Sequence, residues 1–142
     1  MDFKILYIDD DHFMRMFFEG YFESKFDIKV CDSAEDAWKI FRTGYKADLI
    51  VLDLVLPGQS GKSFLTELKK QKALADIPVI VLSGNDKSNT RIDMLKAGAD
   101  DFIIKPFNPE ELEIKIAKIT SKIEKKLNPQ YLKNSNKILG IK

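Results

Sequence analysis

Apolar residues along this chain alternate between short continuous runs and segments with apolar positions three and four residues apart. The short runs are rich in β-branched and aromatic residues, and they predict strands over residues 3–8, 27–31, 48–54, 78–83 and 101–105. The segments with helical spacing predict helices over about residues 12–26, 34–42, 61–72, 88–97 and 109–126. Strand and helix therefore alternate five times, which indicates an α/β fold with a parallel sheet, helices on both faces and right-handed crossovers.

Residues at the ends of the predicted helices support these boundaries. Asp11 and Ser33 are good N-cap residues for the first and second helices. Gly98 suits the position after the fourth helix, and Asn108 followed by Pro109 is a typical start for the fifth. In the first helix a set of large apolar residues recurs at helical spacing, and we expect this set to pack in the core: Phe13, Met16, Phe17, Tyr21 and Phe26.

Length and composition indicate a single folded domain in a reducing compartment. A chain of 142 residues that is 44% hydrophobic can bury a core without metal or disulfide support. Cys31 is the one cysteine, so no internal disulfide can form. The longest apolar run is too short to span a bilayer, and no secretory signal is visible at the N-terminus. We expect a cytoplasmic protein that does not contact a membrane, with one domain over residues 1–127 and a linker or C-terminal tail over residues 128–142.

Charge is spread unevenly along the chain, although the net charge is only +1. Residues 1–107 hold 15 Lys/Arg against 18 Asp/Glu, whereas residues 108–142 hold 8 Lys against 4 Glu. A basic tail can indicate nucleic-acid binding. Here the lysines fit the solvated face of one helix and have almost no aromatic or arginine residues between them, so we expect no direct nucleic-acid binding.

Residues with reactive or charged side chains stand at the ends of four predicted strands. They are Asp9, Asp10 and Asp11 after the first strand, Asp53 in the third, Ser83 in the fourth and Lys105 in the fifth. Ligands of open α/β sheets bind outside the carboxyl ends of the strands, so these side chains are expected to converge. Carboxylates that lie close together repel each other, and Mg²⁺ would relieve the conflict while bridging to a phosphate. A lysine and a serine opposite the metal would complete a site for a phosphoryl group.

The segment LPGQSGKS at residues 56–63 offers a second, weaker phosphate site. It ends like the P-loop signature G-x-x-x-x-G-K-[ST], but the first glycine of that signature would fall on Leu56. Gly58 lies too close to Gly61 to replace it. The strand that precedes this loop is therefore the better candidate for phosphate chemistry.

Four separated motifs, in this order and spacing, resemble the receiver domain of two-component response regulators: ILYIDDD, DLIVLDLVLPGQSG, IPVIVLSGND and AGADDFIIKPF. The resemblance covers roughly residues 3–122. It implies a flavodoxin-like, doubly wound (βα)5 fold with strand order 2-1-3-4-5. It also implies a switch rather than an enzyme, which takes a phosphoryl group from a sensor histidine kinase or a phosphotransfer protein and signals to an output domain or protein partner.

The same resemblance implies a role for several residues around the phosphoryl group. Asp53 would be the phospho-acceptor, Ser83 the hydroxyl that moves to bond the phosphoryl group, and Lys105 its ion-pair partner. The bond between Lys105 and Pro106 would be cis. Phe102 falls at the aromatic switch position, where the rotamer follows Ser83.

The resemblance further implies a Mg²⁺ site and two positions that tune dephosphorylation. Asp10 would bind the ion directly and Asp9 through water, with Asp53 and the backbone carbonyl of Val55 also on the metal. The tuning positions are Val55 and Asn85. Because the Val55 side chain cannot hydrogen-bond an attacking water, we expect little help from it in hydrolysis of the aspartyl-phosphate.

Two other functions compete with the phospho-accepting switch. A phosphatase of the haloacid dehalogenase type also uses a strand-end aspartate and Mg²⁺, but it needs a second aspartate where this chain has Val55. No cap domain is visible either. A receiver-like interaction module that no longer takes phosphate is the stronger alternative, although Asp53, Lys105 and the intact acidic pair argue against it.

The resemblance also implies an output surface. Phosphorylation would repack the face formed by helix 4, strand 5 and helix 5, and a homodimer could form through this face. A stripe of apolar residues could extend a dimer-forming helix 5: Ile116, Ile119, Ile123 and Leu127.

Overall fold

The computed structural model describes residues 3–84 and 87–127. The chain divides into two compact units, residues 1–107 and the residues from Asn108 onward. The described part of the first unit contains the strands β1 (Lys4–Ile8), β2 (Asp27–Cys31), β3 (Leu49–Asp53), β4 (Val79–Ser83) and β5 (Asp101–Ile104). It also contains the helices α1 (His12–Phe22), α2 (Ala34–Arg42), α3 (Gly61–Lys70) and α4 (Ser88–Lys96). The second unit contains α5 (Pro109–Leu127).

The strands form one parallel sheet in the order β2-β1-β3-β4-β5, which confirms the predicted fold class and strand order. In the centre, Ile5 of β1 pairs with Ile28 of β2 on one side and with Leu49 of β3 on the other. The chain therefore reverses its direction of travel across the sheet between β1 and β3. A crevice opens at the carboxyl ends of the strands at such a switch point.

The sheet is covered by different helices on its two faces. Every residue of β3 and of β4 is buried, as expected for parallel strands that are covered on both sides. Leu6 and Ile8 of β1 belong to a core cluster that includes Phe64 and Leu65 of α3. Because successive side chains of a strand point to opposite faces, Tyr7 lies on the other face, where its ring stacks on Phe18 of α1.

The prediction for the buried side of α1 was wrong. Phe13, Met16 and Phe17 are 79%, 59% and 44% exposed, while Phe18 and Phe22 are fully buried. Large apolar residues occupy most of the circumference of this helix, so helical spacing alone allows more than one buried stripe. Contact with the sheet selects the stripe that contains Phe18. The rings of Phe18 and Tyr7 stack with a centroid distance of 4.1 Å and an interplanar angle of 9°.

The predicted capping residues are confirmed, although α1 ends at Phe22 and α3 at Lys70, earlier than the predicted residues 26 and 72. The Asp11 side chain accepts from the N–H groups of Phe13 and Met14 at the start of α1, and Ser33 caps α2 in the same way. At the start of α5, Asn108 Oδ1 accepts from a backbone N–H at 2.9 Å. Gly98 follows α4 with φ +112°, a conformation that favours glycine.

No helix in the described ranges is long and apolar enough to cross a membrane. The domain boundary at residue 127 stays a prediction. The predicted tail, residues 128–142, and the side chain of Leu127 lie outside what the structure describes.

Candidate functional site

The carboxyl edge of the sheet brings most of the predicted site residues together. Asp53 is the last residue of β3, and Ser83 is the last residue of β4. Lys105 follows β5 directly, and its backbone N–H donates to the Ser83 carbonyl at 2.7 Å. Asp9 and Asp10 follow β1. The parallel register therefore places residues far apart in sequence around one crevice.

A single ammonium group holds two buried carboxylates in this crevice. Lys105 Nζ lies 3.1 Å from Asp53 Oδ2 and 3.2 Å from Asp9 Oδ2. Asp9 is fully buried and Asp53 nearly so. Burial by itself lowers the pKa of Lys105, but the two carboxylates raise it above its ordinary value. The lysine is therefore held in its charged form, with one positive charge facing two negative ones.

Asp9 is held by three donors. Its Oδ2 accepts from the Tyr7 hydroxyl at 2.5 Å and from Lys105, while its Oδ1 accepts from the Asp11 N–H at 2.9 Å. Burial alone raises the pKa of Asp9, but these donors outweigh it and hold the pKa below its ordinary value. Burial, together with the hydrogen bond to Asp9, raises the pKa of Tyr7. Tyr7 is therefore a neutral donor and Asp9 a charged acceptor.

The pKa of Asp53 is shifted in the opposite direction. Burial and the neighbouring Asp9 raise its pKa to about 6, against the partly compensating charge of Lys105. Its Oδ1 accepts a hydrogen bond from the Val55 N–H at 3.2 Å. Near neutral pH this carboxylate is ionised but poorly stabilised, as a nucleophile that awaits a compensating positive charge would be.

The acidic side chains at this edge fit a hard divalent cation. Carboxylate oxygens of Asp9, Asp10 and Asp53 all lie within 4.8 Å of one another. Asp10 is exposed, so an ion could reach the group from solvent. Several carboxylate oxygens together with exchangeable water are the ligands that Mg²⁺ prefers, and the unfavourable charge on Asp53 would be relieved by it.

The loop after Asp53 is fixed closely against the strand. A Cβ added to Gly61 would lie 2.5 Å from the backbone oxygen of Asp53 and 2.8 Å from the Cα of Leu54, so only glycine fits there. The Gly61 N–H donates to the Leu54 carbonyl at 3.0 Å. The same loop holds the Val55 side chain in solvent, where it is 74% exposed.

The backbone of this loop is further held by Gln59. Its N–H donates to Glu35 Oε1 at 2.8 Å, and its side-chain oxygen accepts from the Trp38 indole at 2.7 Å. Gly58 turns the chain just before it with φ +68°. The loop that carries Val55 is thus tied to α2.

The structure also describes three other residues that the sequence analysis names: Ser83, Phe102 and Pro106. Ser83 is fully buried, and the Phe102 ring is buried as well. The peptide bond between Lys105 and Pro106 is cis. Asn85 lies outside the described residues.

Sequence reasoning missed Tyr7. The signal was present, because residues i and i+2 of a strand share a face and Tyr7 stands two residues before Asp9 at the end of β1. An aromatic hydroxyl at that spacing can reach the carboxylate, whereas an aliphatic side chain leaves it without this donor.

Comparison with known proteins gives consistent similarities. A family model described as "Response regulator receiver domain" matches residues 5–117. The probable transcriptional regulator ycf27 of Porphyridium aerugineum is 35% identical over 133 residues, which are 93% of this chain and 54% of the relative. The phosphate regulon transcriptional regulatory protein PhoB of Shigella flexneri is 40% identical over 94 residues, which are 66% of this chain and 39% of the relative.

Among solved structures, the receiver domain of the Francisella response regulator 1452 aligns with a TM-score of 0.80 at 33% identity. The alignment covers 86% of this chain and 99% of that one. The chain spans about half the length of the curated relatives it matches.

Proposed function

This chain belongs to the response regulator receiver domain family, and from that premise we propose that Asp53 accepts a phosphoryl group from a histidine of a partner protein. Members of this family are signalling switches of two-component systems rather than classical enzymes. The observation that carries the proposal is the meeting of Asp53, Lys105 and the acidic pair Asp9 and Asp10 at one sheet edge. This set combines a nucleophile with the charges that a phosphoryl group needs around it.

The transfer itself needs little covalent help from the protein. A carboxylate oxygen of Asp53 attacks the phosphorus and forms an O–P bond, while the P–N bond to the donor histidine breaks and the histidine nitrogen keeps the electron pair. Lys105, 3.1 Å from Asp53 Oδ2, is close enough to turn its ammonium to the phosphoryl oxygens. The buried Ser83 hydroxyl at the end of β4 would then bond the same group.

Mg²⁺ is part of this proposal. Asp9, Asp10, Asp53 and the backbone carbonyl of Val55 would hold the ion, which supplies positive charge to the phosphoryl oxygens when bound. The carboxylates contribute to the reaction by keeping that charge beside Asp53. The Val55 N–H contributes by holding Asp53 Oδ1 in a fixed direction.

The output of the switch is proposed to run through β5 and α4. Phe102 is already buried, so phosphorylation would stabilise its inward position rather than create it. Ile92 and Leu95 of α4 and Ile104 of β5 are all more than two-fifths exposed, and they offer an apolar surface to a partner. The partner would be an output domain, another protein or a second copy of the chain.

The wider setting is also proposed from the relatives. The curated relatives are named as transcriptional regulators, and the matched segments cover 54% of one and 39% of another, so this chain would pass its signal to an output of that kind. The phosphoryl donor would be a sensor histidine kinase or a phosphotransfer protein, and the natural location would be the cytoplasm.

Intact mass spectrometry tests the proposal. The protein and an Asp53→Asn variant are incubated with Mg²⁺ and acetyl phosphate, and we expect a gain of one phosphoryl mass, about 80 Da, in the wild type only. The gain should also disappear when EDTA removes the metal. If no adduct forms, and a beryllofluoride-binding control shows that rapid hydrolysis is not the cause, the chain is a phosphate-independent interaction module.

A further inference from the structure

We propose that Tyr7 is a positioning residue of this site, whose hydroxyl holds Asp9 in place so that Lys105 can leave Asp9 for the phosphoryl group on Asp53. The inference rests on the proposed function for the role of Lys105. It assigns to the site a residue from inside the sheet, whose hydroxyl contacts the Asp9 side chain.

The orientation of the Tyr7 hydroxyl is set by the packing of its ring. Tyr7 is fully buried in β1, an interior strand of the sheet, and its ring lies nearly parallel to Phe18 at 4.1 Å. Phe18 is itself packed on Phe22, with ring centroids 4.7 Å apart. This packing restricts the rotamer of the Tyr7 ring, and it places the hydroxyl within hydrogen-bond distance of Asp9 Oδ2.

Asp9 needs this donor because it is fully buried and charged. Its Oδ2 is shared between a fixed donor, Tyr7, and a mobile one, Lys105, and its Oδ1 accepts from the Asp11 N–H. When Lys105 turns to a phosphoryl group, Oδ2 would be left with Tyr7 alone. A buried carboxylate that loses a partner is strongly disfavoured, so the tyrosine makes the departure of Lys105 less costly.

Without the hydroxyl the lysine becomes the only side-chain donor to Oδ2 in the described contacts. The ion pair between Lys105 and Asp9 would then become stronger, and it would compete with phosphoryl transfer and with Mg²⁺ binding. It competes with the phosphoryl group for the ammonium, and it competes with Mg²⁺ for Asp9. The backbone of Asp9 stays fixed in either case, because its carbonyl accepts from Arg15 Nη1 at 2.7 Å.

The test is a Tyr7→Phe variant, which removes the hydroxyl and keeps the ring that stacks on Phe18. Tyr45→Phe is the matched control, since the Tyr45 hydroxyl is buried and has no hydrogen-bond partner among the described residues. Two quantities are measured: the dissociation constant for Mg²⁺ by calorimetry, and the rate of adduct formation with acetyl phosphate at saturating Mg²⁺. Partners that orient a metal ligand typically change affinity or activity by tenfold or more, so we expect Tyr7→Phe to weaken Mg²⁺ and slow the adduct by about tenfold each.

The control should stay within about twofold of the wild type in both quantities. Loss of thermal stability alone would not support the proposal, and Mg²⁺ affinity and rate equal to those of the wild type would overturn it. If the wild type itself forms no adduct, the proposed function fails, while the Mg²⁺ titration still decides whether Tyr7 positions Asp9.

A second measurement does not depend on the folding of the variant. In a crystal structure of the wild type with Mg²⁺ and beryllofluoride, we expect the Tyr7 hydroxyl to remain on Asp9 while Lys105 moves out of contact with it. A structure in which Lys105 keeps its contact with Asp9, or in which the Tyr7 hydroxyl has moved away, would contradict the inference.

Discussion

Replacing Asp53 with asparagine should stabilise the metal-free protein at neutral pH, although it removes the residue on which the proposed function depends. The Asp53 carboxylate is buried beside Asp9, and its pKa rises from 3.8 to about 6. The folded state therefore binds a proton more tightly at this position than the unfolded state does. The stability that this tighter binding provides is fully present below pH 3.8 and is lost as the pH rises through about 6.

The size of the effect follows from this pKa difference. At 1.36 kcal/mol for each pKa unit, ionised Asp53 lowers the free energy of unfolding at pH 7 by about 3 kcal/mol. Asparagine resembles the protonated carboxyl and carries no charge, so the variant should regain this amount. For a domain of this size the midpoint of thermal unfolding should rise by roughly 10 °C.

The assay is thermal and urea unfolding of both proteins in EDTA, at pH 7 and near pH 4. At pH 4 Asp53 is already protonated in the folded wild type, so the advantage of the variant should shrink to about 0.5 kcal/mol. Asp93→Asn, at an exposed position of α4, controls for the general effect of losing a negative charge and should change stability by no more than about 0.5 kcal/mol. The reasoning is refuted if Asp53→Asn is no more stable than the wild type at pH 7. It is also refuted if the difference in unfolding free energy between the two proteins is the same at both pH values.

Three further predictions follow from the loop, the glycines and the cysteine. Val55→Asn places a hydrogen-bonding group beside the phosphoryl position, and a bond worth about 1 kcal/mol to the attacking water should speed decay of phosphorylated Asp53 roughly fivefold; an unchanged decay rate in an intact-mass time course would contradict this. Gly61→Ala forces a Cβ against backbone and should cost about 2 to 4 kcal/mol in urea unfolding. Gly84→Ala is the control, since its Cβ would meet nothing within 4 Å in the described structure, and it should cost less than about 1 kcal/mol. Equal losses of stability in the two variants would contradict the close contact between Gly61 and the backbone of Asp53 and Leu54. Burial raises the pKa of Cys31 to about 12, so at pH 8 its reaction with a thiol reagent should be about a thousandfold slower than in urea; similar rates would show that the thiol is accessible.

The fold could be predicted because the strands carry a strong signal. The runs at β3 and β4 are apolar on both faces, which only a covered parallel sheet explains well. Once the sheet is parallel, the carboxyl ends of its strands must share an edge, and this is enough to bring Asp53 towards Lys105 across 52 residues of sequence. The topology therefore carried the prediction of the site as well as that of the fold.

The sequence could not predict which of several apolar faces of a helix packs against the sheet. In α1 the spacing allows Phe13 or Phe18 to face the sheet, and only the position of the Tyr7 ring selects Phe18. The helix also ends at Phe22 and not at Phe26, because the chain must turn into β2, where the Asp27 N–H donates to the carbonyl of Phe3. Such choices are made by contacts between elements, which periodicity within one element does not contain.

The raised pKa of Asp53 could not be predicted from the sequence either. It arises from burial and from the distance to Asp9 after Lys105 has taken its place between the two carboxylates. Spacing along the chain indicates that these groups meet, but the direction of the shift depends on how one positive charge is divided between them.

The order in which the ribosome makes the chain gives the position of Lys105 a further consequence. Its ammonium group follows Asp9 by 96 residues and Asp53 by 52. At about 5–20 residues per second, the lysine is synthesised roughly 3–10 s after Asp53. Throughout that interval a nascent chain carries both carboxylates without their cation and also lacks β5 at the edge of the sheet. Folding of the first unit is therefore expected to wait for its last strand, and fragments that end before residue 105 should remain targets for chaperones.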